Sequence, residues 1–205
     1  MRNKINIAVL VSGGGTNLQA LIDARDTVIT SGVIKFVVSN NRTAYALKRA
    51  EAAGIKSVCI TKAEFGGAAG MEAELVRVLV AEKIDLIVLA GFMSILSAGF
   101  TKRFEKRIIN IHPSLIPSFC GEGYYGLRVH EAALKKGVKV TGATVHFVNE
   151  IPDGGEIIMQ KAVRVLDGDT PETLQKRVMR LAEWKILPES VEKVSAGILK
   201  QEQQR

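Results

Sequence analysis

The sequence predicts an α/β protein, a doubly wound, mostly parallel sheet with helices on both faces and antiparallel pairing toward the C-terminal part. Three observations predict it. Along residues 5–111, short β-branched and aliphatic runs alternate with amphipathic stretches at helical spacing, the pattern of βαβ units. The run Leu86 to Ala90 is apolar on both faces, as a central parallel strand is when helices cover it from both sides. After Pro113 the alternation ends, and two β-rich runs follow one another across a short connection, which suits antiparallel neighbours. At 205 residues, against roughly 150 per domain, the chain is read as a single domain spanning residues 1–205.

Ile5 to Ser12 is the first strand; it ends in Gly13-Gly14-Gly15 and opens a helix with Leu18, Leu21 and Ile22 on one side. Ile34 to Ser39 is a second strand, Tyr45 to Ala53 a helix stopped by Gly54, and Ser57 to Ile60 a third strand. Met71, Leu75, Val78 and Leu79 mark a helix before the strand Leu86 to Ala90. A short helix over Ser97 to Arg103 leads into the strand Ile108 to Ile111. Ser114 to Gly126 holds prolines, glycines and adjacent tyrosines, so it is a long loop of the kind that is functional or disordered. Val129 to Lys136 is a helix closed by Gly137, and Val140 to Val148 and Glu156 to Val165 are strands joined by a hairpin-like connection, Asn149 to Gly155. Asp169-Thr170-Pro171-Glu172 starts the last helix with a capping hydroxyl, proline at the first helical position and an acid in the first turn. That helix is expected to turn Leu174, Val178 and Leu181 inward, to be interrupted or kinked at Pro188, and to fray over residues 200–205.

A content of 47% hydrophobic and 24% charged residues excludes overall disorder. No apolar run approaches the ~20 residues a bilayer span needs, and no membrane association is expected. The start, Met1-Arg2-Asn3-Lys4 and then Ile5 to Val11, imitates a signal peptide but runs straight into glycines without a small-residue cleavage pattern, so a cytoplasmic protein is expected. With 28 Lys+Arg against 21 Asp+Glu, the net charge of +7 favours anionic partners. The basic residues are dispersed and aromatics make up only 5%, with no alternating basic and aromatic platform, which weighs against nucleic acid; small phosphorylated or carboxylated molecules fit as well, and so does a merely basic soluble protein. Cys59 and Cys120 form no Cys-x-x-Cys pair; reduced thiols are expected, with no zinc or redox motif.

Three constellations could carry chemistry. Ser12-Gly13-Gly14-Gly15-Thr16-Asn17-Leu18 stands where the first strand meets the first helix, so its amides could hold an oxyanion such as phosphate. It is neither Gly-x-Gly-x-x-Gly nor a P-loop, and the alternative is a glycine turn required only for close packing. Asn110-Ile111-His112-Pro113-Ser114 places an amide and an imidazole at i and i+2, on one face, at the carboxyl end of a parallel strand where α/β sheets bind ligands. The amide can donate to a developing oxyanion and the imidazole can donate or move a proton; the alternative is an ordinary polar strand end. Asp153-Gly154-Gly155 is a turn residue on a glycine-flanked loop unless it faces His112. In that case the carboxylate is expected to raise the His112 pKa above its free value of about 6.5 and to keep the ring charged near neutral pH. His130 and His146 complete three histidines, which have neither the spacing nor the cysteine partners of a zinc site.

These motifs, together with Ala90-Gly91-Phe92-Met93, Thr144-Val145-His146-Phe147-Val148 and Gly168-Asp169-Thr170, resemble those of the phosphoribosylglycinamide formyltransferase family, in order and over nearly the whole chain. The resemblance implies a Rossmann-like formyltransferase sheet and transfer of the formyl group of 10-formyltetrahydrofolate to the amine of 5-phosphoribosylglycinamide in purine biosynthesis, without a metal. It implies Asn110, His112 and Asp153 as catalytic residues, Gly15, Thr16 and Asn17 on the substrate phosphate, and Glu183 on the ribose hydroxyls. It places the folate between Phe92, Met93, Ser94, Ile95 and Leu96 on one side and Val148, Asn149, Glu150, Ile151 and Pro152 on the other. Asn110 and protonated His112 would stabilise the tetrahedral oxyanion, with Asp153 holding the ring charged and helping to move a proton through water.

The chain departs from the best-known relatives in places. Ser118 to Val129 is longer than the matching loop, Ser94 and Ala68 stand in place of arginines, Trp184 follows Glu183 in place of a histidine, and the stretch from Arg177 to Pro188 is one residue longer. Methionyl-tRNA formyltransferase and formyltetrahydrofolate deformylase share the motifs but carry an extra domain, for which 205 residues leave no room. A nucleotide-binding α/β module without catalysis is the reading from another class. A monomer or a homodimer is equally compatible with the sequence.

Overall fold

The computed structural model describes residues 3–204; Met1, Arg2 and Arg205, which belong to the expected strand approach and frayed tail, lie outside the described residues. Strand β1 (Ile5–Val11) pairs in parallel with β2 (Gly32–Ser39) on one side and with β4 (Leu86–Leu89) on the other. β3 (Lys56–Cys59) extends the sheet in parallel beyond β2, and β5 (Ile108–His112) beyond β4. β6 (Val140–Phe147) and β7 (Ile157–Arg164) then pair antiparallel, giving a seven-stranded sheet of order β3-β2-β1-β4-β5-β6-β7. Because β1 is followed by β2 on one side and later by β4 on the other, the strand order reverses at β1 and opens a crevice beyond the carboxyl ends of β1 and β4.

The sheet is apolar on both faces, so its residues sort by parity into two cores. Ile5, Ile7, Val9 and Val11 face α1 (Thr16–Asp23), α2 (Tyr45–Ala52), α6 (Pro171–Val178) and α7 (Trp184–Gln203). Ala8 and Leu10 face α3 (Ala68–Ala81) and α4 (Ala98–Arg103), whose Met71, Leu75, Leu79 and Phe100 close the other side. α5 (Leu127–Lys136) ends at Gly137 and packs beside α6. Among the described residues no helix is long and apolar enough to cross a membrane.

The sequence expectations differ from the structure mainly at the C-terminal end. α6 begins as expected, with Thr170 as cap and Pro171 at the first helical position. It then widens into a π-helical segment, Met179–Glu183, before α7. A π turn holds more residues than an α turn, so the next inward position arrives late: Leu181 is 37% exposed, and Ala182 and Glu183 are buried in its place. Pro188 lies inside α7 without ending it, and the helix runs to Gln203.

Candidate active site

β1 ends at Val11 and the chain turns through Ser12-Gly13-Gly14-Gly15 into α1. Behind this turn the carbonyls are occupied: Ser12 O accepts from Asn41 Nδ2 (3.2 Å), Gly13 O from the Ala46 amide (3.1 Å) and Gly14 O from Arg49 Nε (2.8 Å). Gly15 O accepts from the Gln19 amide at 2.9 Å, the first bond of the helical ladder. The amides of Gly15, Thr16 and Asn17 therefore precede that ladder and can receive an anion, with the positive helix end behind them. Gly15 has φ 70°, and a Cβ there would stand 2.6 Å from Ala46 Cβ, so glycine is required for packing at this position; Gly13 and Gly14 face open space.

Asn17 and Glu183, singled out separately in the sequence and 166 residues apart, meet: Asn17 Nδ2 donates to Glu183 Oε2 at 2.7 Å. The π segment turns Glu183 inward, where burial pushes its carboxyl up to about 7 against the opposing pull of Asn17.

The second group lies at the carboxyl end of β5, across the crevice. Asp153 sits in the turn between β6 and β7 with φ 55°, a conformation uncommon for a residue with a side chain. Gly154 and Gly155 are glycine because a Cβ would strike Ile151 Cγ2 at 2.6 Å and Phe147 O at 1.8 Å. This turn aims the Asp153 carboxylate inward, with Oδ2 3.4 Å from His112 Nδ1 and 2.9 Å from the Gly121 amide, which donates to it. Oδ1 lies 3.5 Å from both Asn110 Nδ2 and His146 Nε2. The three residues proposed from the sequence are thus neighbours around one carboxylate.

His112 is 4% exposed, and its Nε2 donates to the Phe119 carbonyl of the long loop at 2.9 Å. Here the structure corrects the expectation that Asp153 lifts the ring above its free value. Burial dominates and holds the His112 pKa below 6.5, although Asp153 and the Phe119 carbonyl pull it upward and His146 adds to the lowering. For Asp153 burial pushes up, but His146, His112 and the Gly121 amide together prevail, and the carboxyl lies below its ordinary range.

The residues read as folate-binding form two walls. Phe92, Met93, Ser94 and Ile95 share a cleft of about 630 Å³ with Asn110, His112, Tyr124, Tyr125, Pro152 and Asp153. Beside it, Leu96, Val148, Asn149, Glu150 and Ile151, with Phe92, Ser94, Ile95 and Pro152, line a pocket of about 130 Å³ that also reaches Asn110 and His146. Met93, Ile95 and Ile151 are 54%, 70% and 59% exposed, an apolar rim that a flat, partly apolar ligand would cover. The Met93 amide donates to Ser12 Oγ at 2.8 Å and Asn40 Nδ2 to Ser94 Oγ at 2.9 Å, which ties this wall to the ends of β1 and β2.

Sequence reasoning passed over His146, Phe119 and Gly121 as members of the site. The register Asn110↔His146 is what brings His146 in. Alternation along Thr144-Val145-His146 identifies a shared face with Thr144, but only the pairing of β6 with β5 identifies its neighbour. The backbone groups of Phe119 and Gly121 leave no side-chain signal at all.

The formyl transferase family model matches residues 5–191. The phosphoribosylglycinamide formyltransferase of Escherichia coli is 41% identical over 174 residues, covering 85% of this chain and 80% of the relative. The trifunctional purine biosynthetic protein adenosine-3 of Gallus gallus is 45% identical over 195 residues, 95% of this chain but 19% of the relative, so the chain spans about a fifth of the length of that protein. Among solved structures, glycinamide ribonucleotide transformylase 1 from Symbiobacterium toebii superposes with a TM-score of 0.89 at 41% identity, covering 96% of this chain and 90% of the other.

Proposed function

The chain belongs to the formyl transferase family, and from that premise we propose that it transfers the formyl group of 10-formyltetrahydrofolate to the amine of 5-phosphoribosylglycinamide. The observation that carries the reading is the meeting of Asn110, His112 and Asp153 beside a cleft whose far wall is Phe92 to Ile95. Two further residues, Asn17 and Glu183, meet at the glycine turn on the other side of the crevice. The phosphate sits on the amides of Gly15, Thr16 and Asn17, and Glu183 accepts from ribose hydroxyls. The folate lies between the Phe92 to Leu96 and Val148 to Pro152 walls. Its formyl carbon is then held near the carboxyl end of β5.

The amine attacks that carbon and a C–N bond forms while the carbonyl electrons move onto oxygen. The Asn110 amide donates to the oxyanion, a preorganised donor where charge develops. Burial lowers the His112 pKa, and with Nε2 donating to the Phe119 carbonyl the lone pair of the neutral ring lies on Nδ1 beside Asp153, so the proton the amine releases reaches it through that carboxylate or water. The imidazolium formed is stabilised by Asp153 3.4 Å away and adds its charge to the oxyanion site. Collapse breaks the bond between the formyl carbon and the folate nitrogen, and the proton passes to that nitrogen through His112, Asp153 or water.

The partners are these two small molecules, with a monomer or homodimer as the working unit and no nucleic acid. The cytoplasm suits the free thiols Cys59 and Cys120. Incubation of the purified protein with both substrates tests the reading: stoichiometric formation of N-formylglycinamide ribonucleotide and tetrahydrofolate is expected. Hydrolysis of the folate without formylation of the amine, or no turnover, would overturn it.

A further inference from the structure

His146 is 1% exposed, and its Nδ1 lies 2.7 Å from the Phe147 carbonyl oxygen. A carbonyl only accepts, so Nδ1 carries the proton. In the neutral ring this leaves a lone pair on Nε2, and Asn110 Nδ2 is 3.2 Å from it. The Asp153 carboxylate, farther at 3.5 Å, can accept from Nε2 only when the ring is doubly protonated, the form in which His146 lowers the Asp153 pKa. Two acceptors, His146 Nε2 and Asp153 Oδ1, therefore converge on the same end of the Asn110 side chain.

The two ends of a carboxamide are almost the same shape and differ only in that one donates and the other accepts. A strand-end asparagine with no neighbour to choose between them could present either end to the cleft. With two acceptors on one side, the NH2 end must lie there, and its second N–H remains for the cleft. The carboxylate alone, at 3.5 Å, holds this orientation weakly.

We propose that His146 is a positioning residue for formyl transfer: through the lone pair on Nε2 it locks the Asn110 carboxamide in the orientation that offers N–H, not oxygen, to the developing oxyanion. The proposal rests on the formyl-transfer reading for its catalytic consequence, though not for the orientation itself. The strand pairing supplies the rigidity, since Asn110 and His146 are direct cross-strand partners on β5 and β6.

The test compares His146→Leu, His146→Asn and His146→Gln in the full-length protein. Glutamine can place an oxygen near the position of Nε2, whereas asparagine reaches only the depth of Nδ1 and leucine offers no acceptor. Leucine and asparagine variants are expected to lose about tenfold to a hundredfold in kcat, less than the ~10²–10³ of removing an oxyanion donor outright, with both KM values within about twofold. Glutamine is expected to restore kcat to within about threefold of wild type. In an Asn110→Ala background the His146→Asn effect is expected to vanish, while in an Asp153→Asn background it persists. Equal losses in all three variants, an undiminished effect in Asn110→Ala, or an effect that vanishes only in Asp153→Asn would overturn the proposal; the last result would mean that His146 acts by donating to the carboxylate. The asparagine and glutamine variants keep the comparison alive should His146→Leu not fold. A readout free of activity is hydrogen exchange at the Asn110 side-chain amide, followed by ¹⁵N NMR. Protection in wild type and His146→Gln and its loss in His146→Asn is expected, and equal protection in all would refute the orientation lock. A wild type inactive with both substrates but protected at Asn110 would overturn formyl transfer and leave the lock standing.

Discussion

At Asp153 one residue is both a turn former and a member of the site. Its left-handed backbone and the two crowded glycines after it serve the turn, and the turn is what points the carboxylate at His112. Asp153→Asn is expected to leave both KM values near wild type and to lower kcat by ~10² or more, the scale of proton-transfer and electrostatic groups. An NMR titration is expected to show the His112 pKa, already held down by burial, falling further once the carboxylate is gone. An unchanged pKa and rate would reduce Asp153 to a turn residue. Glu183 supplies a second test. Between 4.5, its ordinary value, and about 7 the native protein holds a proton there that the unfolded chain has released, so this group's contribution to stability falls as pH rises through that window. Above pH 7 the accumulated loss is up to about 3 kcal/mol at 1.36 kcal/mol per unit. Glu183→Gln is therefore expected to match wild-type stability near pH 5, exceed it at pH 8 in urea melts, and bind the ribonucleotide more weakly.

The glycine turn and the long loop carry expectations at the scale of elements. Gly15→Glu would confound loss of phosphate binding with damage to the fold, because Gly15 has φ 70° and no room beside Ala46. Gly14 has neither restriction. Gly14→Glu is expected to raise the ribonucleotide KM more than tenfold by filling and repelling the anion site, with the melting temperature nearly unchanged. Gly15→Ala is expected to destabilise the fold by about 1–3 kcal/mol through strain and overpacking. The loop between β5 and α5 touches the site through the Phe119 carbonyl and the Gly121 amide, with Tyr124 and Tyr125 on the cleft wall. Shortening residues 121–126 is expected to lower transfer and to increase the share of folate hydrolysed, as water gains access to the formyl carbon. An unchanged ratio of hydrolysis to transfer would assign the loop to packing. The elements themselves were legible because each carries a local signal, such as the apolar run of β4 or the Thr170-Pro171 start of α6. Leu181 misled because helical periodicity assumes an unbroken α ladder, and the extra residue between Arg177 and Pro188 falls in the stretch where the ladder widens.

For the whole molecule, two buried groups with opposite preferences act on stability together. His130 is fully buried with no hydrogen-bond partner for either ring nitrogen among the described residues, and burial, aided by His112, lowers its pKa from 6.5 to about 4. Across that window the unfolded chain takes up a proton that the native ring refuses, so stability drops as pH falls, by up to about 3 kcal/mol. Glu183 works in the other direction between 4.5 and about 7. The wild type is therefore expected to show a nearly flat contribution from the pair between pH 4.5 and 6.5, and Glu183→Gln to unmask a stability that rises with pH there. Parallel slopes in the two proteins would contradict the raised pKa of Glu183, and a flat profile in Glu183→Gln would contradict the lowered pKa of His130. Which chemical groups could act was legible in the sequence, because Asn110 and His112 share a strand face and Asn17 follows a glycine turn. Who faces whom was not, since Asp153 to His112, Asn17 to Glu183 and Asn110 to His146 are set by strand pairing and helix docking across long separations. The π segment between α6 and α7 joins these scales. Removing one residue from it would restore an α turn, and because a π turn holds about one residue more than an α turn, everything downstream would keep nearly the same azimuth. The row Ile186, Leu187, Val191, Val194 and Ile198 would stay on the sheet, and what would change is which side chain stands where Glu183 now meets Asn17. A single-residue indel at this point thus alters the candidate ligand site while sparing the core, so the one can vary without the other.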